Sequence, residues 1–316
     1  MEFIDTRLVP FLHAAIASAV PFIFAGLGEV IAERSGVVNI GIEGIMVFGA
    51  FLGFAGVYLT GSPLLGLLLA AAGGAVLGLL MAFLTVTLRL NQIIVGLALF
   101  FVGFGLGGYA NKILFPRGTP PSIPTLGDMA LPLLSQIPVL GPVLFDHDVL
   151  AYAALALVPL CWYVLYRTRL GLEIRATGES PAVADSLGIN VFLVRYGCVI
   201  AGAVLAAWAG AYLTQAESGR FQRLIVGGRG FISIAVVIVA LWNPWRVLLG
   251  ALIFAGGVAL QFRAQLLYRG APAEILLMAP YVLTIVALVV IRLVGHVSET
   301  VPAGLGQNYA RGGEGR

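Results

Sequence analysis

Apolar residues run along this chain in long stretches separated by short polar intervals, with no strand-like alternation. Nine such stretches stand at about 9–31, 42–59, 64–88, 92–110, 149–166, 192–213, 224–242, 246–262 and 275–294. Most approach the ~20 residues a helix needs to cross a bilayer. Backbone groups in lipid must satisfy one another, which leaves helices or a closed barrel. A barrel requires alternating strands of about ten residues, and a run such as Leu64 to Leu88 does not alternate. The pattern therefore predicts an all-α polytopic transmembrane bundle of about nine spans, with a range of eight to ten, forming one domain over residues 1–316.

Composition agrees. The chain is 60% hydrophobic and only 10% charged, where a soluble domain carries about a quarter charged residues. The net charge is +3, Lys112 is the one lysine, and no basic tract suggests nucleic-acid binding. Cys161 and Cys198 lie in apolar runs and read as small core residues. The stretch beginning near Leu8 has no small-residue cleavage site after a short core, so it reads as the first span. Glycines at 73, 74, 78, 103, 107, 202 and 210 offer small surfaces for close helix packing.

Loop charges set the expected orientation. The loop 167–190 holds Arg167, Arg169 and Arg175, with Arg195 at its far edge, and is expected in the cytoplasm. The proline-rich loop 111–148, with Asp128, Asp146 and Asp148, is expected outside, and the tail 295–316 inside. Arg220, Arg223 and Arg229 then fall on the external side, so either a span is miscounted or their segment dips into the membrane.

Three segments are too polar or glycine-rich for ordinary lipid-facing helix. The first is 28–44, with Glu29, Glu33, Arg34 and glycines at 36, 41 and 44. It is either a discontinuous element lining a solute path or a short turn in which Glu43 favours the next helix's N-terminus. Asn39 and Glu43, four residues apart, would share a face if the segment were helical. The second is 224–242, with Gly227, Gly228, Arg229 and Gly230. A buried arginine costs at least ~2.5 kcal/mol at mid-bilayer, so a short half-span starting near Phe231 and ending at Asn243-Pro244 is expected. Glycine-broken segments in matching positions of two halves point to a transport site. The third is 169–190, where Ser180 and Pro181 can start a short helix that Gly188 ends. This helix is a docking knob or a plain connector. Asn91 and Gln92, opening the fourth span, either meet a polar solute or mark the interface.

These blocks, Gly28 to Gly44, Asn91 to Ala98, Gly171 to Asn190, Gly228 to Ala235, Trp242 to Pro244 and Pro302 to Gly306 with Tyr309, together resemble a known family. It is that of the permease subunits of bacterial ABC importers related to the ribose and branched-chain amino-acid permeases. The resemblance is nearest to the branch associated with nucleoside uptake and the basic-membrane-protein receptors. It implies a multi-pass protein of the bacterial inner membrane that moves nucleosides or related small polar solutes. Simple sugars and branched-chain amino acids are the alternatives. It implies that Gly178, Glu179, Ala182, Ala184, Asp185 and Gly188 form a degenerate "EAA" coupling element. The implied partners are an ATP-binding subunit carrying ATP and Mg, a second, larger permease, and a lipid-anchored solute receptor. Asn39, Glu43, Asn91, Gln92 and Arg229 are the candidate path residues.

Two rivals remain at this stage. An ion-coupled secondary transporter would carry ionisable residues inside its spans, and here Glu29, Glu43 and Arg229 lie near breaks or ends. A membrane enzyme would need clustered carboxylates or metal-ligand spacing, and His13, His147 and His296 are far apart. The chain has no Gly-x-x-x-x-Gly-Lys-Ser/Thr phosphate loop and is not read as an ATPase or as a binder of any cofactor. A purely structural membrane protein would leave the polar breaks unexplained.

Overall fold

The computed structural model describes residues 8–116, 118, 120–130, 132, 135, 137–267, 278–294 and 300–311. His296 and parts of the loop 111–148, the last apolar stretch and the tail lie outside these residues. Twelve α-helices follow one another among the described residues. They are α1 (Val9–Arg34), α2 (Ile42–Thr60), α3 (Pro63–Ala82), α4 (Gln92–Leu114), α5 (Leu140–Leu144) and α6 (Val149–Arg167). After them come α7 (Arg169–Glu179), α8 (Pro181–Ser186), α9 (Val191–Tyr212), α10 (Arg229–Val239), α11 (Pro244–Leu267) and α12 (Ala279–Val294). α3 and α9 each end in a widened π-type turn, over Phe83–Thr87 and Leu213–Ser218. Two short antiparallel strands, β1 (Met129–Ala130) and β2 (Asp146–His147), lie in the loop 111–148.

Among the described residues, seven helices are long and apolar enough to cross a membrane. The chain is a multi-pass integral membrane protein. All nine apolar stretches contain helix, but two of these helices are short. α10 has 11 residues, or about 16 Å at 1.5 Å per residue, against ~30 Å of hydrocarbon. α12 has 16 residues.

α1, α2 and α9 form the centre, and α3, α4, α6 and α11 pack around them. The small residues of α9 make this possible. A Cβ on Gly210 would stand 1.8 Å from the Met46 carbonyl oxygen, and one on Gly202 would stand 2.7 Å from that of Gly28. At both places backbone meets backbone, and only glycine fits. The leucines, isoleucines and aromatics of α3 and α4, including Leu64, Leu68, Val76, Ile93, Phe101 and Tyr109, face outward, as a lipid-facing surface requires.

The connections sort to two ends. At one end the link 35–41, the turn 88–91, the segment 168–190, the corner 240–243 and the tail 300–311 meet through hydrogen bonds. At the other end the 111–148 segment lies on the close of α9, where Ile123 N donates to Gly219 O at 2.8 Å and Leu126 N to Gln215 O at 2.8 Å. Asp148 caps α6 by accepting from Leu150 N (2.8 Å) and Ala151 N (3.0 Å), and it also accepts from the Tyr212 hydroxyl at 3.1 Å. Arg220 and Arg223 follow α9 at this end, and Arg223 packs against Gly108 of α4. From there the chain runs to the start of α10, whose Gly228 and Gly230 N–H groups bond Glu43 in the first turn of α2.

Candidate functional site: two interlocked helix breaks

α1 stops at Arg34 because Gly36, at φ +94°, turns the chain out of the helix. The next residues are non-helical until α2 begins at Ile42. Their exposed N–H groups are met by side chains. Val38 N donates to Gln92 Oε1 (2.9 Å), Asn39 N to Glu29 Oε1 (2.9 Å) and Gly41 N to Asn39 Oδ1 (3.1 Å). Glu29, Asn39 and Gln92 are all buried. They serve as acceptors for backbone that lacks a helical partner.

The second break is the approach to α10. Gly227 and Gly228 take left-handed conformations, φ +58° and +82°, open to glycine without Cβ strain. Every helix start leaves unpaired N–H groups. Here both oxygens of one remote carboxylate fill that role. Glu43 Oε1 accepts from Gly228 N at 2.8 Å, and Oε2 accepts from Gly230 N at 2.7 Å. The negative group also sits at the favourable end of the helix dipole. Arg229 turns away and pairs with Glu217 at 2.7 Å. Tyr281 of α12 donates its hydroxyl to Gly227 O at 2.9 Å.

The far end of α10 is held by the same α1–α2 segment. Leu241 and Trp242 adopt positive φ (52° and 54°), a strained conformation for such side chains. The Trp242 indole N–H donates to the buried Glu33 carboxylate. Arg34 donates from Nε to Trp242 O (3.3 Å) and from Nη2 to the Tyr166 hydroxyl (3.2 Å). Glu33 and Arg34 thus secure one end of the half-helix, and Glu43 secures the other.

The α7–α8 segment is more structured than a single short helix, since the 11-residue α7 precedes α8. Gly178 is buried against the end of α1, where a Cβ would stand 2.1 Å from Arg34 O. Ala184 is buried and anchors α8, and Gly188 ends it at φ +86°. Ala182 and Leu187 face outward. Glu179 accepts from Ala303 N at 3.1 Å. Asp185 accepts a fork from Arg311 at 2.8–3.2 Å, and that guanidinium holds the Asp185 carboxyl below the usual aspartate range.

Among the path candidates, the structure places Asn39 and Gln92 at the first break and Glu43 at the second, where the Arg229 side chain pairs with Glu217 instead. Asn39 and Glu43 do not share a helix face, because the chain is non-helical between Ser35 and Gly41. Asn91 is exposed and caps α4, accepting from Ile93 N (3.0 Å) and Ile94 N (3.2 Å). Sequence reasoning missed Glu33 and Arg34 as the anchors of Trp242. Arg195 is not at a loop edge but inside α9 and 1% exposed. Each was visible as a charge within or beside an apolar run. His13 and His147 stack with ring centroids 4.4 Å apart, and among the described residues they join no group of three metal-binding side chains.

A groove of about 430 Å³ opens between α1, α6, α7 and α9, lined by Leu27, Leu160, Val164, Ile174, Ala201 and the two cysteines among others. Its walls are almost entirely apolar, unlike a polar-solute site, and the breaks lie outside it.

The model of the family described as "branched-chain amino acid transport system / permease component" matches residues 11–294. A nucleoside ABC transporter permease of Lactococcus lactis is 38% identical over 297 residues, covering 91% of this chain and 93% of that protein. A putative glucose ABC transporter permease of Haloferax volcanii is 40% identical over 261 residues, covering 80% of this chain and 77% of its own length. A guanosine ABC transporter permease of Bacillus subtilis is 35% identical over 285 residues, covering 87% and 89%.

Proposed function

This chain belongs to the branched-chain amino acid transport permease family, and from that footing we propose that it forms the membrane path of an ATP-driven importer for nucleosides. The family is one of transport permeases, not of catalysts. Two of the three relatives above are named for nucleoside or guanosine transport. The glucose-named relative keeps simple sugars as the alternative.

The observation that carries the reading is the interlock of the two breaks. A half-helix too short to span is gripped at both ends by residues 33–43. Irregular backbone at membrane depth is tolerated where protein or a water-filled cavity surrounds it, and broken helices mark solute sites in other transporters. Glu29, Glu43, Asn39 and Gln92 then position the path wall rather than relay ions, which favours an ATP-driven permease over an ion-coupled carrier.

The end bearing α7 and α8 faces the cytoplasm. Arg34, Arg89, Arg167, Arg169, Arg175, Arg195, Arg246 and Arg311 belong to this end, as the positive-inside tendency requires. The exposed face of α8, with Ala182 and Leu187, docks an ATP-binding subunit that supplies ATP and Mg chemistry. A second, larger permease completes the path, and a lipid-anchored receptor delivers solute from the other side of the bacterial inner membrane.

The test is ATP hydrolysis and uptake by the co-expressed complex in liposomes, with receptor, against nucleosides, sugars and amino acids. Nucleoside-stimulated hydrolysis and uptake support the reading. Stimulation by glucose alone moves the solute to the sugars, and uptake driven by an ion gradient without ATP sinks the proposal.

A further inference from the structure

Residues 302–311 are distant in sequence from nearly everything they touch, and they touch each segment that a coupling movement would have to cross. Gly304 N donates to Gly178 O at 2.8 Å, and Gly306 N donates to Gly36 O at 3.1 Å. The first bond reaches the α7–α8 segment and the second reaches the first break. Asn308 donates to the carbonyls of Arg89 and Leu90 in the α3–α4 turn. α8 itself is lightly held, with Ala184 as its one buried residue, and the Arg311–Asp185 fork fastens it to the tail.

Arg195 makes the junction. It is 1% exposed, and its Nε donates to Ser35 O (3.1 Å) while Nη1 donates to Gln307 O (2.9 Å). One rigid guanidinium therefore bridges the break and the tail. A lysine, with a single ammonium, cannot reproduce that fork.

We propose that residues 302–311, locked by Arg195, are a positioning element for transport that carries a displacement of α8 to the break at 35–41. From there Glu33 and Arg34 hold the foot of α10. The proposal rests on the reading of α8 as the docking site of the ATP-binding subunit. Such an element couples two sites only if its contacts move as one body.

The experiment compares the wild-type complex in liposomes with three variants: Arg195→Lys, Gly304→Val, and a chain ended after Val301. A Cβ at residue 304 would stand 2.8 Å from Gly178 O, so Gly304→Val wedges the tail from the loop without removing it. Uptake per ATP hydrolysed is measured on complexes checked for full subunit composition. The expected result is that hydrolysis stays within about twofold of wild type while uptake per ATP falls at least about fivefold, the lower range of a coupling free energy. Unchanged uptake per ATP overturns the proposal. Loss of the ATP-binding subunit from all three variants also overturns it, because the tail would then serve assembly alone. A wild-type complex with no ATP-driven uptake fails the importer reading itself, and the wild-type lane shows this separately.

Discussion

The two helix breaks face the same problem, unpaired backbone inside an apolar bundle, and meet it differently. The first break spreads its bonds over several partners: Glu29, Asn39 and Gln92 of α4 each accept one N–H. The second depends on the first, because both N–H groups at the head of α10 go to the single carboxylate of Glu43. One break is a distributed set of small contacts, and the other is a single two-pronged clamp. The half-helix can therefore be released or shifted by moving the α1–α2 link, whereas the link keeps its own bonds when α10 moves.

The largest expected effect follows from that concentration. Glu43→Ala strands two N–H groups, at about 1–3 kcal/mol each when buried. It is expected to lower stability by about 2–6 kcal/mol and abolish uptake. Glu43→Gln keeps one carbonyl but turns an NH2 toward the second N–H, so its loss should be intermediate. Thermal melting of the purified complex, with uptake normalised to protein in the membrane, checks both. An alanine variant with wild-type melting and uptake would remove the clamp from the comparison.

The first break should respond less. Glu29 accepts one backbone N–H and meets the Glu33 carboxyl, and a glutamine can keep both contacts, so Glu29→Gln is expected to change stability by less than about 1 kcal/mol and leave uptake near wild type. Asn39→Ala removes the acceptor of Gly41 N and should cost about 1 kcal/mol. Both are read in the same melting and uptake assays. If Glu29→Gln proved as damaging as Glu43→Ala, the contrast between a distributed and a concentrated anchor would fail.

What the sequence disclosed, and what it withheld, follows the range of the interactions. Helices α1 to α4 were visible because apolar runs are local. The short α10 was visible because arginine and clustered glycine cannot extend a span, and its observed start at Arg229 lies close to the expected Phe231. The partners were not visible. Gly228 lies 185 positions from Glu43, and Trp242 lies 209 from Glu33. Periodicity carries no record of such pairs. Asn39 and Glu43 were placed on one face by counting through a helix that Gly36 interrupts. His13 bonds Asp146 O across 133 positions and stacks on His147, one residue further on.

The smallest expected effect separates the breaks by reach, since the tail touches the first and not the second. Tail docking on α8 uses the Arg311–Asp185 pair. Hydrogen bonding from Arg311 depresses the Asp185 carboxyl in the folded state. The contribution is therefore fully present above the ordinary aspartate range and is lost as pH falls through the lowered value. Tail docking should be constant from about pH 8 to pH 5 and loosen only in stronger acid. Asp185→Asn should remove that acid step and leave the tail at neutral pH about as loose as the wild-type tail is in strong acid. Hydrogen exchange at the described tail and at 35–41 reads this directly. Exchange at Gly228 and Gly230, which depend on Glu43 instead, should not follow the Asp185 step. If those amides moved in parallel with the tail, the two breaks would be one cooperative unit and not an anchor with its dependent.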